Sequence, residues 1–190
     1  PQEFVGDEAH RGDMVWSAAV PEELRSRATA VIGNFPVSQA SQYTRLEWLQ
    51  TFSAGVDAYI CPGVLPRGTM VTNASGAYGQ SVSEHMFATM WALMKNLNRY
   101  ASNQRDHQWQ DEGPVLSPEG GIALIIGVGD IGSHFAQLAQ SVGMRTFGVR
   151  RHADVPAKGI EKMYGFERLE TLLPLADVVA MAVPRSPQTH

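Results

Sequence analysis

With 190 residues, 44% of them hydrophobic, the chain has the make-up of a soluble globular protein able to bury about 70% of its unfolded surface. Its 15 Lys and Arg against 19 Asp and Glu leave a net charge of -4, so no broad basic field exists for a nucleic-acid backbone or an anionic membrane, and any anion site must be local. Cys61 is the only cysteine, which excludes an internal disulfide and a cysteine metal cluster; no apolar run reaches the ~18 residues of a membrane span, and no signal-peptide pattern opens the chain, so the reducing cytoplasm is the expected location.

Residues 1–20 are polar and turn-rich, with Trp16 the largest apolar side chain, and read as an edge piece. A first helix is predicted near Pro21, Glu22, Glu23 and Leu24, with proline in the first turn and acids at the positive helix end. Residues 28–32 then read as a short buried strand stopped by Gly33, residues 38–43 as helical, and residues 46–52 as an alternating strand running into the small-residue loop Ser53, Ala54, Gly55, Val56, Asp57. A further β-like piece, residues 69–72, leads into a loop marked by Gly76 and Gly79; within it Asn73, Ala74 and Ser75 match a glycosylation acceptor but, without secretion, read as loop. Ser81, Val82, Ser83 and Glu84 have the form of a capping box, and the helix they open is predicted to reach Tyr100. Its apolar residues cover more than one face, as in a helix buried at a subunit interface. Residues 103–119 are polar, with two prolines, and read as a linker.

Beyond it lies the most informative stretch. The apolar residues 122–126 break into Gly127-x-Gly129-x-x-Gly132 and then into a helical pattern carried by Ile131, Phe135, Leu138 and Val142, with Gly143 as the stop. Strand, glycine turn and helix in that order are what a dinucleotide-binding βαβ unit requires. Gly127 permits the tight turn, Gly129 admits a pyrophosphate to the backbone, Gly132 lets helix and strand pack closely, and the pyrophosphate would sit on the free N–H groups at the helix start. Residues 145–149 are predicted as the second strand, residues 169–173 as a short helix stopped near Pro174, and residues 177–183 as a buried strand. Alternating strands and helices on both sides of the linker argue for an α/β fold in both segments.

Directly after Val149 the chain reads Arg150, Arg151, His152, with no acid before Asp154. An acid there would pair with the ribose 2′-hydroxyl of NAD; two guanidiniums instead suit the 2′-phosphate of NADP, each charge-assisted contact contributing roughly 1.5–3 kcal/mol. NADP is therefore the expected cofactor, with NAD still open, and exchanging Arg150 for Asp is expected to weaken NADPH binding more than NADH binding.

Four stretches give the chain a family likeness: the loop of residues 53–57; Ser83, Glu84 and His85 in the long helix; the glycine fingerprint followed by Gly143 and Met144; and residues 172–190, including Val183, Pro184, Arg185, Ser186, Pro187, Gln188, Thr189 and His190. In these the chain resembles the D-isomer-specific 2-hydroxyacid dehydrogenases, and within them the glyoxylate/hydroxypyruvate reductase-like members. The resemblance implies a Rossmann-like doubly wound parallel sheet for residues 101–190 as the cofactor domain, and a smaller flavodoxin-like α/β substrate domain for residues 1–100, both incomplete. It implies a homodimer, a small 2-oxo acid or 2-hydroxy acid as substrate, and hydride transfer as the chemistry. Backbone amides of Ala54, Gly55 and Val56 would hold the substrate carboxylate; Gly127, Gly129, Asp130, Ile131, Gly132, Arg150, Arg151, Pro184 and Thr189 would face the cofactor. The family's catalytic Arg, Glu and His follow the segment at which this chain stops, so the catalytic residues are expected outside it: either the chain is a fragment of a longer polypeptide, or it does not run the family's reaction unaided.

The histidines present do not replace them. His85 reads as a helix-start or core histidine, His134 as surface, and none has the paired acid a general base usually needs. No His, Asp and Glu spacing suggests a metal. Two functions follow: an NADP-dependent reductase of 2-oxo acids such as glyoxylate or hydroxypyruvate, or, alternatively, a dinucleotide-sensing binding protein like the family's corepressors, without turnover.

Overall fold

The computed structural model describes residues 20–184 and Thr189; the predicted edge piece, with Trp16 and His10, lies outside them. By packing, the chain divides into two units, Pro1–Ala77 with Pro184–His190, and Tyr78–Val183. The division falls ahead of the long helix, which buries Met90 and Met94 within the second unit.

In the first unit a one-turn helix α1, Glu22–Arg25, follows Pro21 as predicted. Three short parallel strands, β1 (Ala30–Ile32), β2 (Trp48–Gln50) and β3 (Met70–Thr72), form a sheet in that order, with Val31, Leu49 and Val71 in register. The helical stretch between β1 and β2 is a 3-10 helix, Val37–Gln42. Leu49 is fully buried under Phe35, Ala40, Tyr43, Leu46 and Tyr59, and burial of each such side chain contributes about 1.5–3 kcal/mol. The opposite sheet face is open: Ile32 is 66% and Met70 62% exposed, so the expected buried strand at residues 28–32 is covered on one side only.

Tyr43 stacks on Phe35 with ring centroids 4.3 Å apart and is wholly buried, yet its hydroxyl has no hydrogen-bond partner among the described residues. The Tyr59 hydroxyl, by contrast, donates to the Phe35 carbonyl at 2.6 Å and accepts from the Phe35 N–H at 3.0 Å. A buried polar atom left unpaired costs about 1–3 kcal/mol, so Tyr43→Phe is expected to raise the unfolding free energy by about 1 kcal/mol in urea titrations, whereas Tyr59→Phe lowers it. Burial also pushes the Tyr43 phenol above its ordinary pKa, against the opposing pull of Arg25. A proton held more tightly in the folded state stabilises below the unfolded phenol pKa, so this contribution is lost as pH rises beyond about 10, and Tyr43→Phe removes that part of the alkaline loss.

The second unit opens with α2, Gly79–Met94. The expected capping box is absent: the helix starts two residues before Ser81 with Tyr78 as its N-cap, the Ser83 hydroxyl donates to the Gln80 carbonyl, and Glu84 accepts from the Gln80 side chain one turn away. Nor does the helix reach Tyr100 unbroken. Asn96 adopts a left-handed conformation (φ 54°), and a second helix α3, Leu97–Arg105, follows. Asn is among the few residues that tolerate this geometry, and here its side chain donates to the Glu112 carbonyl. The expected linker is held in place: Leu116 N–H donates to the Met94 carbonyl, Lys95 Nζ to the Leu116 carbonyl, and Asn103 to the Glu112 carboxylate.

After it come β4 (Ile122–Ile126), α4 (Asp130–Ser141), β5 (Arg145–Val149), β6 (Lys162–Tyr164), α5 (Leu169–Leu172) and β7 (Val178–Met181). The strands are parallel in the order β6-β5-β4-β7, which is third, second, first and fourth along the unit, the order of half a Rossmann sheet. β6 was not expected; three residues with a charged leader give too little apolar pattern to read. Ala123 and Ile125 face Phe135, Ala136 and Ala139 of α4 and Met90 and Met94 of α2, while Leu124 and Ile126 face Phe147, Val149 and Leu172. Both faces are thus covered, which explains the unbroken apolar run of β4. α4 ends as predicted at Gly143 (φ 85°), with Gly143 N–H bonded to the Gln140 carbonyl and Met144 N–H to the Ala139 carbonyl. No helix among the described residues is long and apolar enough to cross a membrane.

Candidate cofactor and carboxylate sites

In the second unit the turn joining β4 to α4 lies where the chain from β4 turns one way to β5 and the other way to β7, the switch point at which open α/β sheets bind ligands. Each fingerprint glycine meets a separate requirement. Gly127 has φ 93°, and a Cβ on it would collide with the Ala182 carbonyl and lie 2.8 Å from Val183 Cγ1. A Cβ on Gly132 would strike the Gly127 carbonyl oxygen and come within 3.1 Å of Ile125 Cγ2. Beside Gly129 there is open space. The first bond of the helix runs from Ser133 N–H to the Gly129 carbonyl at 3.0 Å, so the N–H groups of Asp130, Ile131 and Gly132 precede the helical ladder and point where the macrodipole favours an anion.

Asp130 occupies the first turn of α4; its carboxylate lies 3.3 Å from His134 Nδ1, and its carbonyl 2.9 Å from the same nitrogen. The same carboxylate fills the space that a Cβ on Gly79 would need. His134 is on the surface, as expected, while His85 is exposed and not a core histidine. The lone cysteine, Cys61, is also exposed.

Arg150 has partners of its own. Its guanidinium donates to the carbonyls of His152 (3.0 Å), Val128 (3.3 Å) and Val155, tying the loop after β5 to the glycine turn. Arg151 next to it is exposed, with no side-chain hydrogen bond or ion pair among the described residues. In the first unit, the Thr189 hydroxyl donates to the Pro184 carbonyl at 2.6 Å.

Also in the first unit, the loop of residues 53–57 leaves the carboxyl end of β2, the central strand. Its carbonyls are occupied: that of Ser53 by the Thr51 hydroxyl (2.8 Å), that of Ala54 by Asn73 Nδ2 (2.7 Å), that of Gly55 by the Ser53 hydroxyl (2.8 Å) and that of Val56 by the Tyr59 N–H (2.9 Å). The N–H groups of Ala54, Gly55 and Val56 have no hydrogen-bond acceptor among the described residues.

A parallel sheet in this order, with a glycine turn shaped in this way at its switch point, defines a dinucleotide-binding α/β protein. Residues 87–190 match the family model described as D-isomer specific 2-hydroxyacid dehydrogenase, NAD binding domain, and the chain belongs to that family. It is 26% identical over 179 residues to the glycerate dehydrogenase of Methylorubrum extorquens, an alignment that takes in 90% of this chain and 54% of that protein. The structure of a D-isomer specific 2-hydroxyacid dehydrogenase family protein from Aeromonas salmonicida superposes with a TM-score of 0.78 at 29% identity, over 89% of this chain and 54% of that one. The NADPH-dependent glyoxylate/hydroxypyruvate reductase of Sinorhizobium meliloti, in complex with NADP and sulfate, shares the fold with a TM-score of 0.70 at 18% identity, over 96% and 54%. The chain therefore spans about half the length of the relatives it matches.

Proposed function

We propose that the whole protein is an NADP-dependent oxidoreductase that reduces small 2-oxo acids, of the glyoxylate or hydroxypyruvate kind, to D-2-hydroxy acids. The observation that carries this reading is the glycine turn: its two crowded glycines and its one open glycine fit a pyrophosphate lying over Gly129 against the N–H groups of Asp130, Ile131 and Gly132. When bound, the nicotinamide cofactor supplies the hydride. The chain's own share is to hold the cofactor by Gly127, Gly129, Asp130, Ile131 and Gly132, with Pro184 and Thr189 in the loop beyond β7, and to hold the substrate carboxylate on the amides of Ala54, Gly55 and Val56. No group among the described residues is assigned as proton donor.

For the nucleotide, the family description names NAD and the Sinorhizobium reductase holds NADP; the absence of an acid after Val149 and the exposed guanidinium of Arg151 favour the 2′-phosphate. Residues 1–77 then serve as substrate domain and the unit beginning at Tyr78 as cofactor domain. A homodimer is supported by the exposure of Leu93 and Leu97, on and just beyond α2, and of Trp109, and a cytoplasmic location by a lone, unpaired cysteine. Steady oxidation of NADPH by the whole polypeptide with glyoxylate or hydroxypyruvate is the expected result; tight nucleotide binding with no turnover would instead make the protein a dinucleotide sensor.

A further inference from the structure

We infer that Asn34 and Asn73 are positioning residues for carboxylate binding, holding the loop of residues 53–56 from its two sides so that its amides face the ligand. The inference rests on the proposed role of that loop. β2 is the middle strand of its sheet, and the two asparagines stand just past the carboxyl ends of its neighbours, Asn34 beyond β1 and Asn73 beyond β3. Asn34 works at the near end: its Oδ1 accepts the Phe52 N–H at 2.9 Å, and its Nδ2 donates to the Ser53 hydroxyl at 3.2 Å. That hydroxyl in turn donates a hydrogen bond to the Gly55 carbonyl at 2.8 Å. Asn73 works at the far side: its Nδ2 donates to the Ala54 carbonyl at 2.7 Å, while its Oδ1 accepts the Ser75 N–H at 3.3 Å and so fixes the amide's orientation.

A peptide unit has its C=O and N–H on opposite sides. Holding the carbonyls of Ala54 and Gly55 therefore fixes the direction of the N–H groups of Gly55 and Val56, which lie in the same two peptide units. A carboxylate is bound well by amides that are already oriented, since no ordering of the loop then has to accompany binding. Neither asparagine contributes a group to the ligand; each acts through the backbone. An amide side chain suits the position because one of its atoms donates while the other accepts, which a carboxylate cannot do.

The test is a titration of the 15N-labelled protein, saturated with NADP+ so that no turnover occurs, with glyoxylate. In the wild type the amide signals of Ala54, Gly55 and Val56 are expected to move; if they do not, the carboxylate reading of the loop itself fails. Given that movement, Asn73→Ala and Asn34→Ala are each expected to weaken glyoxylate binding about tenfold while leaving NADP+ binding unchanged. Asn73→Gln, which restores a donor and an acceptor, is expected to recover part of the loss. Glyoxylate affinity equal to wild type in both alanine variants would overturn the inference. Should either alanine variant fail to fold, Ser53→Ala removes the link from Asn34 to the Gly55 carbonyl at a smaller packing cost, and unchanged affinity there would count against the inference equally.

Discussion

Replacing Gly132 by Ala is expected to lower the unfolding free energy of the second unit by about 3 kcal/mol, the upper end of what overpacking costs. The reason lies in the obstacle. The new methyl would meet the Gly127 carbonyl, a backbone atom at the end of β4 that no rotamer change can move aside, with Ile125 Cγ2 behind it. α4 would have to lift from the sheet, loosening the contacts of Phe135, Ala136 and Ala139 with Ala123 and Ile125. Gly129→Ala provides the contrast. Nothing stands beside that position, and its φ of -101° is open to any residue, so stability should change by less than about 0.5 kcal/mol. Its methyl would instead occupy the approach of the pyrophosphate, and nucleotide binding should fall. Urea titrations and nucleotide affinities on the two variants separate the roles: one change costs the fold, the other costs the ligand. A Gly129→Ala protein that binds nucleotide as well as wild type would remove the pyrophosphate from this turn.

The second large effect concerns nucleotide choice. Arg151→Gln is expected to weaken NADPH binding tenfold or more, from the loss of a charge-assisted contact of about 1.5–3 kcal/mol, and to leave NADH binding as it was. Arg150→Gln is expected to weaken both nucleotides alike, in place of the selective NADPH loss that the sequence alone suggests, because its guanidinium supports the Val128 carbonyl within the glycine turn and the His152 and Val155 carbonyls in the loop beyond β5. The structure thus divides two adjacent arginines that look equivalent in sequence: one braces the loop, and the other is exposed, which is the basis for proposing it as the partner of a ribose phosphate. A selective loss of NADPH in Arg150→Gln, with none in Arg151→Gln, would reverse the assignment.

The parts of this architecture that could be read from residues alone are those governed by local physics. Residues 122–126 form a strand on both readings because an unbroken apolar run has few other uses, and the glycines that follow carry requirements intrinsic to the backbone. What escaped depends on contacts distant in sequence. The helix predicted to begin at Ser81 begins at Gly79, a residue whose suitability comes from the Asp130 carboxylate packed beside it. The break at Asn96 depends on Glu112 and Pro114 carbonyls reached by its side chain. The linker became part of the second unit through bonds from Lys95, Asn96 and Asn103 that no composition reveals. Likewise, Ala54, Gly55 and Val56 could be named from a family likeness, but the asparagines that hold them lie some twenty residues away on either side, and nothing in their immediate sequence marks them.

The crowding around Gly127 also bears on how the protein folds. β4 and β5 are joined by one helix and pair across a short sequence separation, whereas β7 must return from much further along the chain to lie on the other side of β4. The closure entropy of such a return grows only slowly with its length, by about 0.6 kcal/mol per doubling, but it must still be met before the strand's contacts repay it. Ala182 and Val183, which confine the turn at Gly127, follow directly on β7. β4, α4 and β5 together thus contain the whole glycine motif, yet one wall of its turn is supplied by residues that follow β7.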